Sequence, residues 1–361
     1  MRIVVTGTRG IPDIPGGVET HCQELYPRIV ENGHEVIVLR RTPYINDKNR
    51  VLEYKGVQIK DIFAPKRKSF EAVFHTFLAV IKAKRLHPDV LHIHAIGPSL
   101  VTPFAKLLGM KIVVTNHGPD YNRQKWGRLA KKTLILGEKL GAKYADAVIA
   151  ISNDIASNLS EKYGLNDSSI IFNGVNRPFI SESRSYLDQL GIIRPYIFTA
   201  GRFVKEKGFH DLINAYKISG LKERFDLVIA GDADHPDEYS EQLKELARKE
   251  GVFLTGFIKG EPLYQLMTNA SLFVLPSYHE GLPITLLEAM SYGRDILASN
   301  IKANLLPELD TETDFFEVGD VNSLKNALIR KLDHPAVRSY DLSAYDWDII
   351  AKQTISVYNK L

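Results

Sequence analysis

Glu280 and Glu288 stand on either side of Gly281-Leu282-Pro283-Ile284, where the chain changes from loop to helix. Two carboxylates so spaced could form an acid/base couple, but the stretch between them offers a different chemistry. Leu272 to Leu275 is an apolar run short enough for a buried parallel strand, Pro276 to Pro283 is punctuated like a loop, and Ile284 to Met290 is helix-forming. Pro283 suits a first helical position. The backbone N–H groups near Gly281, Leu282, Ile284 and Thr285, together with the positive end of the helix dipole, can then receive an anion such as a phosphate. The glutamates are poorly placed to be that anion, and their natural partners are hydroxyl groups. Taken alone, they would read as a surface loop acid and a solvated helix residue.

A second group of charges follows another strand end. In Gly201-Arg202-Phe203-Val204-Lys205-Glu206-Lys207-Gly208, Arg202 offers a planar fork and Lys207 a point charge to one anion. The first strand leads into Thr6-Gly7-Thr8-Arg9-Gly10-Ile11-Pro12 and Gly16-Gly17-Val18-Glu19. Gly16 and Gly17 would let a ligand approach the backbone at a further helix N-terminus. Their spacing is not that of a dinucleotide fingerprint, and Arg40-Arg41 ends the second strand where such a site needs an acid. Thr115-Asn116-His117-Gly118-Pro119-Asp120 ends another strand, where His117 could donate or accept a hydrogen bond with a sugar or phosphate.

Two patterns imitate metal sites. Asp232-Ala233-Asp234 has the spacing of metal-dependent sugar transferases, and His92-Ile93-His94 could place two imidazoles on one strand face. Each lacks further ligands nearby in sequence, so structural roles are expected and no metal is assigned. Arg123, Lys125, Arg128, Lys131, Lys132, Lys139 and Lys143, with Trp126, make a basic stretch running into and along a helix. Pro65-Lys66-Arg67-Lys68 precedes the apolar Phe70, Val73, Phe74 and Phe77. Such patches can attract an anionic membrane surface, or can simply be a solvated helix face.

The elements that must position these residues alternate in two series. In residues 1 to 175, strands fit Arg2 to Thr6, Glu35 to Leu39, Asp89 to His94, Lys111 to Thr115, Ala147 to Ile151 and Ile170 to Phe172, with a hairpin turning at Lys55-Gly56. Helices fit Val18 to Glu31, Ser69 to Arg85, Trp126 to Lys143 and Asp154 to Tyr163. The second series has strands at Tyr196 to Ala200, Asp226 to Ala230, Val252 to Leu254, Leu272 to Leu275 and Asp295 to Ala298. Its helices fit Lys207 to Ile218, Glu238 to Glu250, Pro262 to Asn269, Ile284 to Tyr292 and Val321 to Leu332. The expected fold is α/β, with two tandem Rossmann-like doubly wound domains, residues 1–176 and 177–342, and a ligand cleft between them. Residues 343–361 add a helix, Asp348 to Asn359, expected to pack back on the first domain.

Composition is that of a soluble globular protein, 44% hydrophobic and 25% charged over 361 residues. Cys22 is the only cysteine, which excludes an intrachain disulfide and suits a reducing, cytoplasmic compartment. Met1-Arg2 leads directly into the first strand without the pattern of a signal peptide, and no apolar run is long enough to span a membrane. Residues 1–175 carry 25 Lys and Arg against 16 Asp and Glu, net +9, whereas the remainder carries 21 against 27, net −6. The basic half could serve anionic lipid at the inner face of the plasma membrane or solubility; nucleic acid is not expected.

Glu280-x₇-Glu288 with Ala289-Met290 and Gly293, together with Gly201-Arg202-x₄-Lys207-Gly208 and supported by Gly16-Gly17, resembles the retaining glycosyltransferases of family 4, of GT-B architecture. Gly7-Thr8-Arg9-Gly10-Ile11-Pro12 and Lys125-Trp126-Gly127 with Ala130-Lys131 resemble the rhamnosyltransferase-like enzymes that assemble bacterial surface polysaccharide, lipopolysaccharide or capsule. The resemblance implies an acceptor-binding first domain and a second domain that holds a nucleotide sugar. It implies that Arg202 and Lys207 grip the diphosphate and that Glu288 bonds the ribose. Glu280 and the backbone of Gly281, Leu282, Pro283 and Ile284 would contact the donor sugar and phosphate, Gly16 and Gly17 would close over the diphosphate, and His117 would touch the sugar. Arg9 and Asp120, in the loops beside Gly16 and His117, are taken as further substrate contacts. The implied chemistry is metal-independent substitution with retained configuration, moving a hexosyl or deoxyhexosyl unit to a glycan or lipid-linked acceptor, with no cofactor. A nucleotide-sugar epimerase of the same architecture and a non-catalytic glycan-binding protein are the alternatives.

Overall fold

Short β-branched runs alternate with amphipathic helices, and most strands pair in parallel with partners distant in sequence, as crossover helices require. The computed structural model describes every residue except Lys48, 66–70, 123–126 and His235, and the side chain of Val73. It divides into two units, Met1–Gly174 with Ala344–Leu361, and Val175–Ser343.

The first unit contains β1 (Arg2–Thr6), α1 (Gly17–Glu31), β2 (Glu35–Arg41), β3 (Glu53–Tyr54), β4 (Val57–Ile62), α2 (Glu71–Arg85) and β5 (Val90–His94). It continues with α3 (Thr102–Leu107), β6 (Ile112–Asn116), α4 (Arg128–Tyr144), β7 (Ala147–Ala150), α5 (Asn153–Tyr163) and β8 (Ser169–Ile170). These strands form one sheet in the order β3-β4-β2-β1-β5-β6-β7-β8, parallel except for the β3–β4 hairpin. Lys55 (φ 46) and Gly56 (φ 80) both take the left-handed conformation that a two-residue hairpin turn demands.

The second unit contains α6 (Ser185–Leu190), β9 (Tyr196–Ala200), α7 (Phe209–Ser219), β10 (Asp226–Ala230), α8 (Glu238–Glu250), β11 (Phe253–Leu254) and α9 (Glu261–Asn269). After these come β12 (Leu272–Leu275), α10 (Ile284–Ser291), β13 (Ile296–Ser299), β14 (Phe315–Phe316) and α11 (Val321–Asp333). Its sheet runs β11-β10-β9-β12-β13-β14, every pairing parallel. Order reverses between β9 and β12, and the loops that follow both strands leave from one end of the sheet.

The last helix, α12 (Trp347–Asn359), belongs to the first unit. Trp347, Ile350, Ala351, Val357 and Tyr358 share a buried cluster with Cys22, Leu25, Tyr26 and Ile29 of α1. Gly174 lies directly beneath the indole, where a Cβ would come within 2.4 Å of the ring. A side chain there would have to displace Trp347.

Several expectations shift in detail. The helix expected to start at Lys207 starts at Phe209, because Lys205–Lys207 forms a single 3₁₀ turn that Gly208, at φ 65, closes in the left-handed region. Pro283 is the N-cap of α10, at φ −75 and ψ 109, and not its first helical residue. Neither α3 nor α6 nor β14 is foreseen from sequence, since elements of two to six residues hold too few turns or alternations to show a period. The starts expected at Ser69 and Trp126, Lys66, Arg67, Lys68, Phe70, Arg123 and Lys125 lie outside the described residues. Among those described, no helix is long and apolar enough to cross a membrane.

Candidate active site

In the second unit, the register of three parallel strands collects the charges. β9 pairs with β10 from Tyr196↔Asp226 to Ala200↔Ala230, and with β12 through Ile197↔Leu272 and Phe198↔Phe273. The loops opening at Gly201, Gly231 and Pro276 therefore emerge side by side. They are stitched at backbone level: Phe203 N–H donates to Asp232 O at 2.9 Å and Tyr278 N–H to Glu206 O at 2.8 Å. Gly231 (φ 131) and Gly208 (φ 65) allow the approach, as a Cβ on either would lie 1.9 Å from Gly201 O and 2.0 Å from Pro276 O respectively. No L-side chain fits at these two positions without moving backbone.

Onto this frame the motif residues are fixed in pairs. Lys207 Nζ lies 2.6 Å from Glu280 Oε1, and the same oxygen accepts from Ser277 Oγ at 2.6 Å. Ser277 is held in turn by Ser299, whose hydroxyl donates to its carbonyl at 2.5 Å. Arg202 Nη1 donates to Asp234 Oδ2 at 2.9 Å, while Asp232 pairs with Lys244 at 2.9 Å. The Asp-x-Asp pattern thus has both its acids beside cations. Beside the Lys207–Glu280 pair, Gly281 and Leu282 lead into α10. Leu286 and Leu287 donate to Pro283 O at 3.1 and 3.4 Å, so Ile284 and Thr285 occupy the positions whose N–H groups have no acceptor within the helix. Burial of Leu286, Leu287, Ala289 and Met290 seats the helix, and Glu288 is half-buried in its second turn.

In the first unit, Gly16 (φ 145) caps α1, and a Cβ there would meet Glu19 Oε2 at 2.0 Å. Buried Glu19 ties the preceding loop to the helix, its Oε1 accepting from Arg9 N–H at 2.9 Å and from the Thr8 hydroxyl at 3.2 Å. Gly17, by contrast, faces open space. Arg9 bonds Pro15 O at 3.2 Å and lies over the Tyr44 ring, its guanidinium carbon 4.9 Å from the centroid. Arg40, where a dinucleotide site would have an acid, is fully buried and bonds Asp61 at 2.8 Å and the carbonyls of Asn49 and Val51. Asp120 opens a 3₁₀ turn just after His117, its N–H donating to Gly118 O at 2.9 Å.

His117 follows β6, partly open, and its Nε2 lies 2.9 Å from His94 Nδ1 at the end of β5. Burial, reinforced by neighbouring histidines, holds both imidazoles well below the ordinary histidine range, and desolvation lowers His21 to about 4 despite its bond to Asn173. All three are neutral near pH 7. His117 therefore meets a ligand as a hydrogen-bonding imidazole and not as a cation.

Residues 15–177 match the family described as Glycosyltransferase Family 4, and residues 189–340 match Glycosyl transferases group 1. The chain belongs to the family 4 glycosyltransferases. This glycosyltransferase is 26% identical over 388 residues to an uncharacterised glycosyltransferase of Methanocaldococcus jannaschii, across 99% of this chain and 98% of the relative. Its fold is similar to that of sucrose-phosphate synthase from Thermosynechococcus elongatus, with a TM-score of 0.83 at 21% identity, covering 99% of this chain and 98% of that one. The Anabaena protein HepE, solved with UDP-glucose, gives 0.79 at 17% identity over 100% and 99%. These likenesses make the fold GT-B.

Within the glycosyltransferase, the motif reading puts Arg202, Lys207, Glu280, Gly281 to Ile284 and Glu288 in the second unit, and Arg9, Gly16, Gly17, His117 and Asp120 in the first. Three partners escape it. Asp234, set aside with Asp232, neutralises Arg202; Ser277 shares the Glu280 oxygen with Lys207; and His21 joins His94 and His117 from α1. The only signal in sequence for Asp234 and Ser277 is their place just after β10 and β12, in the loops where ligands gather.

Proposed function

We propose that this glycosyltransferase moves a hexosyl or deoxyhexosyl unit from a nucleoside diphosphate sugar to a glycan, commonly lipid-linked, in surface polysaccharide assembly, with retained configuration and no metal in the chemical step. The observation that carries the reading is the convergence of Lys207, Arg202 and the open N–H groups of α10 at one end of the second sheet. That is an arrangement for a diphosphate, and HepE, of the same fold, is a protein solved with UDP-glucose.

In the step itself, the bond from the anomeric carbon to the diphosphate oxygen breaks and the acceptor oxygen bonds to the same face of that carbon. The acceptor's proton passes to the departing phosphate oxygen. Negative charge builds on the leaving group, and Arg202, Lys207 and the α10 N-terminus are fixed before it develops, which is how a preorganised site lowers a barrier. Glu280, fixed by Lys207 and Ser277, accepts from hydroxyls of the bound sugar, and Glu288 holds the ribose. His117, neutral, offers the sugar a hydrogen bond, and Gly16, Gly17, Arg9 and Asp120 line the loops of the acceptor-binding unit.

The test incubates the purified full chain with a panel of nucleoside diphosphate sugars and lipid-linked saccharides, following nucleoside diphosphate release and the anomeric configuration of the product by NMR. Release that needs acceptor, with the donor's configuration kept, is expected. An inverted product, donor epimerised without acceptor, or glycan bound with no turnover of any donor would each remove the proposal.

The membrane part of the reading has its own support. Along α4, Arg128, Lys132, Lys139 and Lys143 are exposed among the equally exposed Leu129, Ile135 and Leu136, the composition of a helix that lies on an anionic surface. Co-sedimentation with phosphatidylglycerol vesicles is expected to fall as salt rises, since screening shortens to about 3 Å at 1 M. Equal binding to neutral phosphatidylcholine vesicles would show that charge is not the cause.

A further inference from the structure

Three histidines from three separate elements meet in the interior of the first unit. His21 comes from α1, His94 from the end of β5, and His117 from the residue after β6. One ring nitrogen of each lies within 4.8 Å of the other two, and the ring centroids are 5.0 to 5.5 Å apart. His21 and His94 are 2% and 0% exposed. Imidazoles gathered so closely in a dry interior each need a partner for the lone pair as well as for the proton. One of them lacks it: His21 Nε2 is buried without any hydrogen-bond partner.

From the structure we infer that this trio is a binding site for one Zn²⁺ or a similar borderline divalent ion, held by His21 Nε2, His94 Nδ1 and His117 Nε2.

The surrounding groups prepare these nitrogens. His21 Nδ1 is 2.9 Å from Asn173 Oδ1, so that nitrogen carries the proton and Nε2 is left with its lone pair. His94 Nε2 makes a short hydrogen bond with the Tyr26 hydroxyl. That hydroxyl also meets His92 Nδ1 at 3.0 Å, and His92 is fixed further by Tyr358 at 2.6 Å and Thr115 at 2.7 Å. When His94 Nε2 donates to Tyr26, and Tyr26 in turn donates to His92 Nδ1, His94 Nδ1 presents its lone pair to the centre. Oxygen acceptors on the outer nitrogens are the means by which metal-bound histidines are oriented and made more basic. With His94 Nδ1 as the acceptor, the 2.9 Å contact between it and His117 Nε2 puts the proton of the ion-free chain on His117 Nε2. On binding, that proton moves to His117 Nδ1, so the charge on the imidazoles does not change.

Tetrahedral Zn–N bonds of about 2.0–2.1 Å put ligand nitrogens roughly 3.4 Å apart, within reach of small side-chain rotations from the observed spacing. The all-imidazole set suits Zn²⁺, Co²⁺, Ni²⁺ or Cu²⁺ and not Mg²⁺ or Ca²⁺, which require oxygen ligands. Because His117 is partly open, the fourth position is reached from that side and is taken by water. The ion would join α1 to the ends of β5 and β6. His117 is shared with the proposed transfer step, its Nε2 on the ion and its Nδ1–H left for the sugar, and the binding of the ion can be read from its own spectrum whether or not that step is correct.

Tag-free full-length protein is stripped with chelator, titrated with Co²⁺ as the spectroscopic probe, and then with Zn²⁺. One Co²⁺ per chain is expected, with the visible absorption of four-coordinate cobalt, displaced by one Zn²⁺ and accompanied by a rise in Tm. His21→Ala and His117→Ala should each abolish the absorption, Asn173→Ala should weaken binding by about 10–100-fold, and His334→Ala, at an exposed histidine, should change nothing. Circular dichroism of each variant separates loss of ligand from loss of fold. His117→Ala, at the partly open position, stands as the decisive variant if His21→Ala unfolds. No cobalt absorption in the parent chain, or the same absorption in a folded His117→Ala, overturns the site.

Discussion

Lys207→Ala is expected to lower kcat for glycosyl transfer by about 10²–10³-fold, the loss that follows removal of one preorganised donor from a site where charge develops. Two features make the effect large. Lys207 is only 18% exposed, and its ammonium is pinned 2.6 Å from Glu280 before any ligand arrives. The 3₁₀ turn that carries it is locked by Gly208 against Pro276, so a neighbouring side chain cannot swing in to replace it. Glu280→Gln keeps the cation and the Ser277 contact and is expected to cost less. Lys207 and Glu280 share one pair, so the double variant should lose much less than the product of the two single losses, as happens when residues act as a unit. The measurement is steady-state kinetics with the best donor of the panel. A Lys207→Ala enzyme within threefold of the parent in kcat would remove Lys207 from the leaving-group site.

The largest effect on stability is expected away from the ligand-binding loops. Lys331 of α11 places its ammonium 2.8 Å from Asp295 and 2.5 Å from Asp314, and Arg338 reaches both acids at 3.1 Å. Both carboxylates and the lysine are almost wholly buried, whereas Arg338 is 27% exposed. Lys331→Met leaves two buried carboxylates to one half-solvated guanidinium, and breaking a buried cluster from one side costs about 3–5 kcal/mol. The cluster stands at the N-terminal ends of β13 and β14, across the sheet from the loops that follow β9 and β12: Asp295 precedes β13, Asp314 precedes β14, and Arg338 O would sit 2.9 Å from a Cβ on Gly293, two residues after α10 ends. Hydrogen exchange in β13 and α11, with urea unfolding of the full chain, should report the loss. Restoring much of it with Lys331→Met/Asp314→Leu would assign the cost to the uncompensated acid. A loss below about 1 kcal/mol would place Lys331 among weak surface pairs.

How much of this was legible depends on distance along the chain. The parallel sheets follow from runs such as Leu272 to Leu275 and the amphipathic face Cys22, Leu25, Ile29, because the period of a strand or helix is written in consecutive residues. The helix N-terminus between Glu280 and Glu288 is local as well. The pairs Lys207–Glu280 and Arg202–Asp234 are not: their partners lie 73 and 32 residues apart and meet only through the register of β9 with β12 and β10. His92 and His94 are read from sequence as structural; His92 is held by buried hydrogen bonds to Tyr26, Tyr358 and Thr115, whereas His94 also stands in the histidine trio. What spacing could not suggest was His21, which reaches His94 from a helix more than seventy positions earlier. Gly208 misled in the other direction: it falls inside the helix expected from Lys207, because the left-handed φ with which it ends the 3₁₀ turn is not written in its residue type.

The chain leaves the first unit at Gly174 and returns to it at Ala344. The second unit is therefore, in topological terms, an insertion, and the order of synthesis does not match the order of completion. When residue 174 is made, the sheet of the first unit is already present, but the face of α1 that lies against Ile350, Ala351 and Tyr358 has nothing to cover it. Tyr358 is also the group that completes the hydrogen bonds of His92. A nascent first unit must wait, with an open apolar seam, while some 170 further residues emerge and fold. The closing helix thus couples the maturation of the histidine centre to the making of the whole second unit.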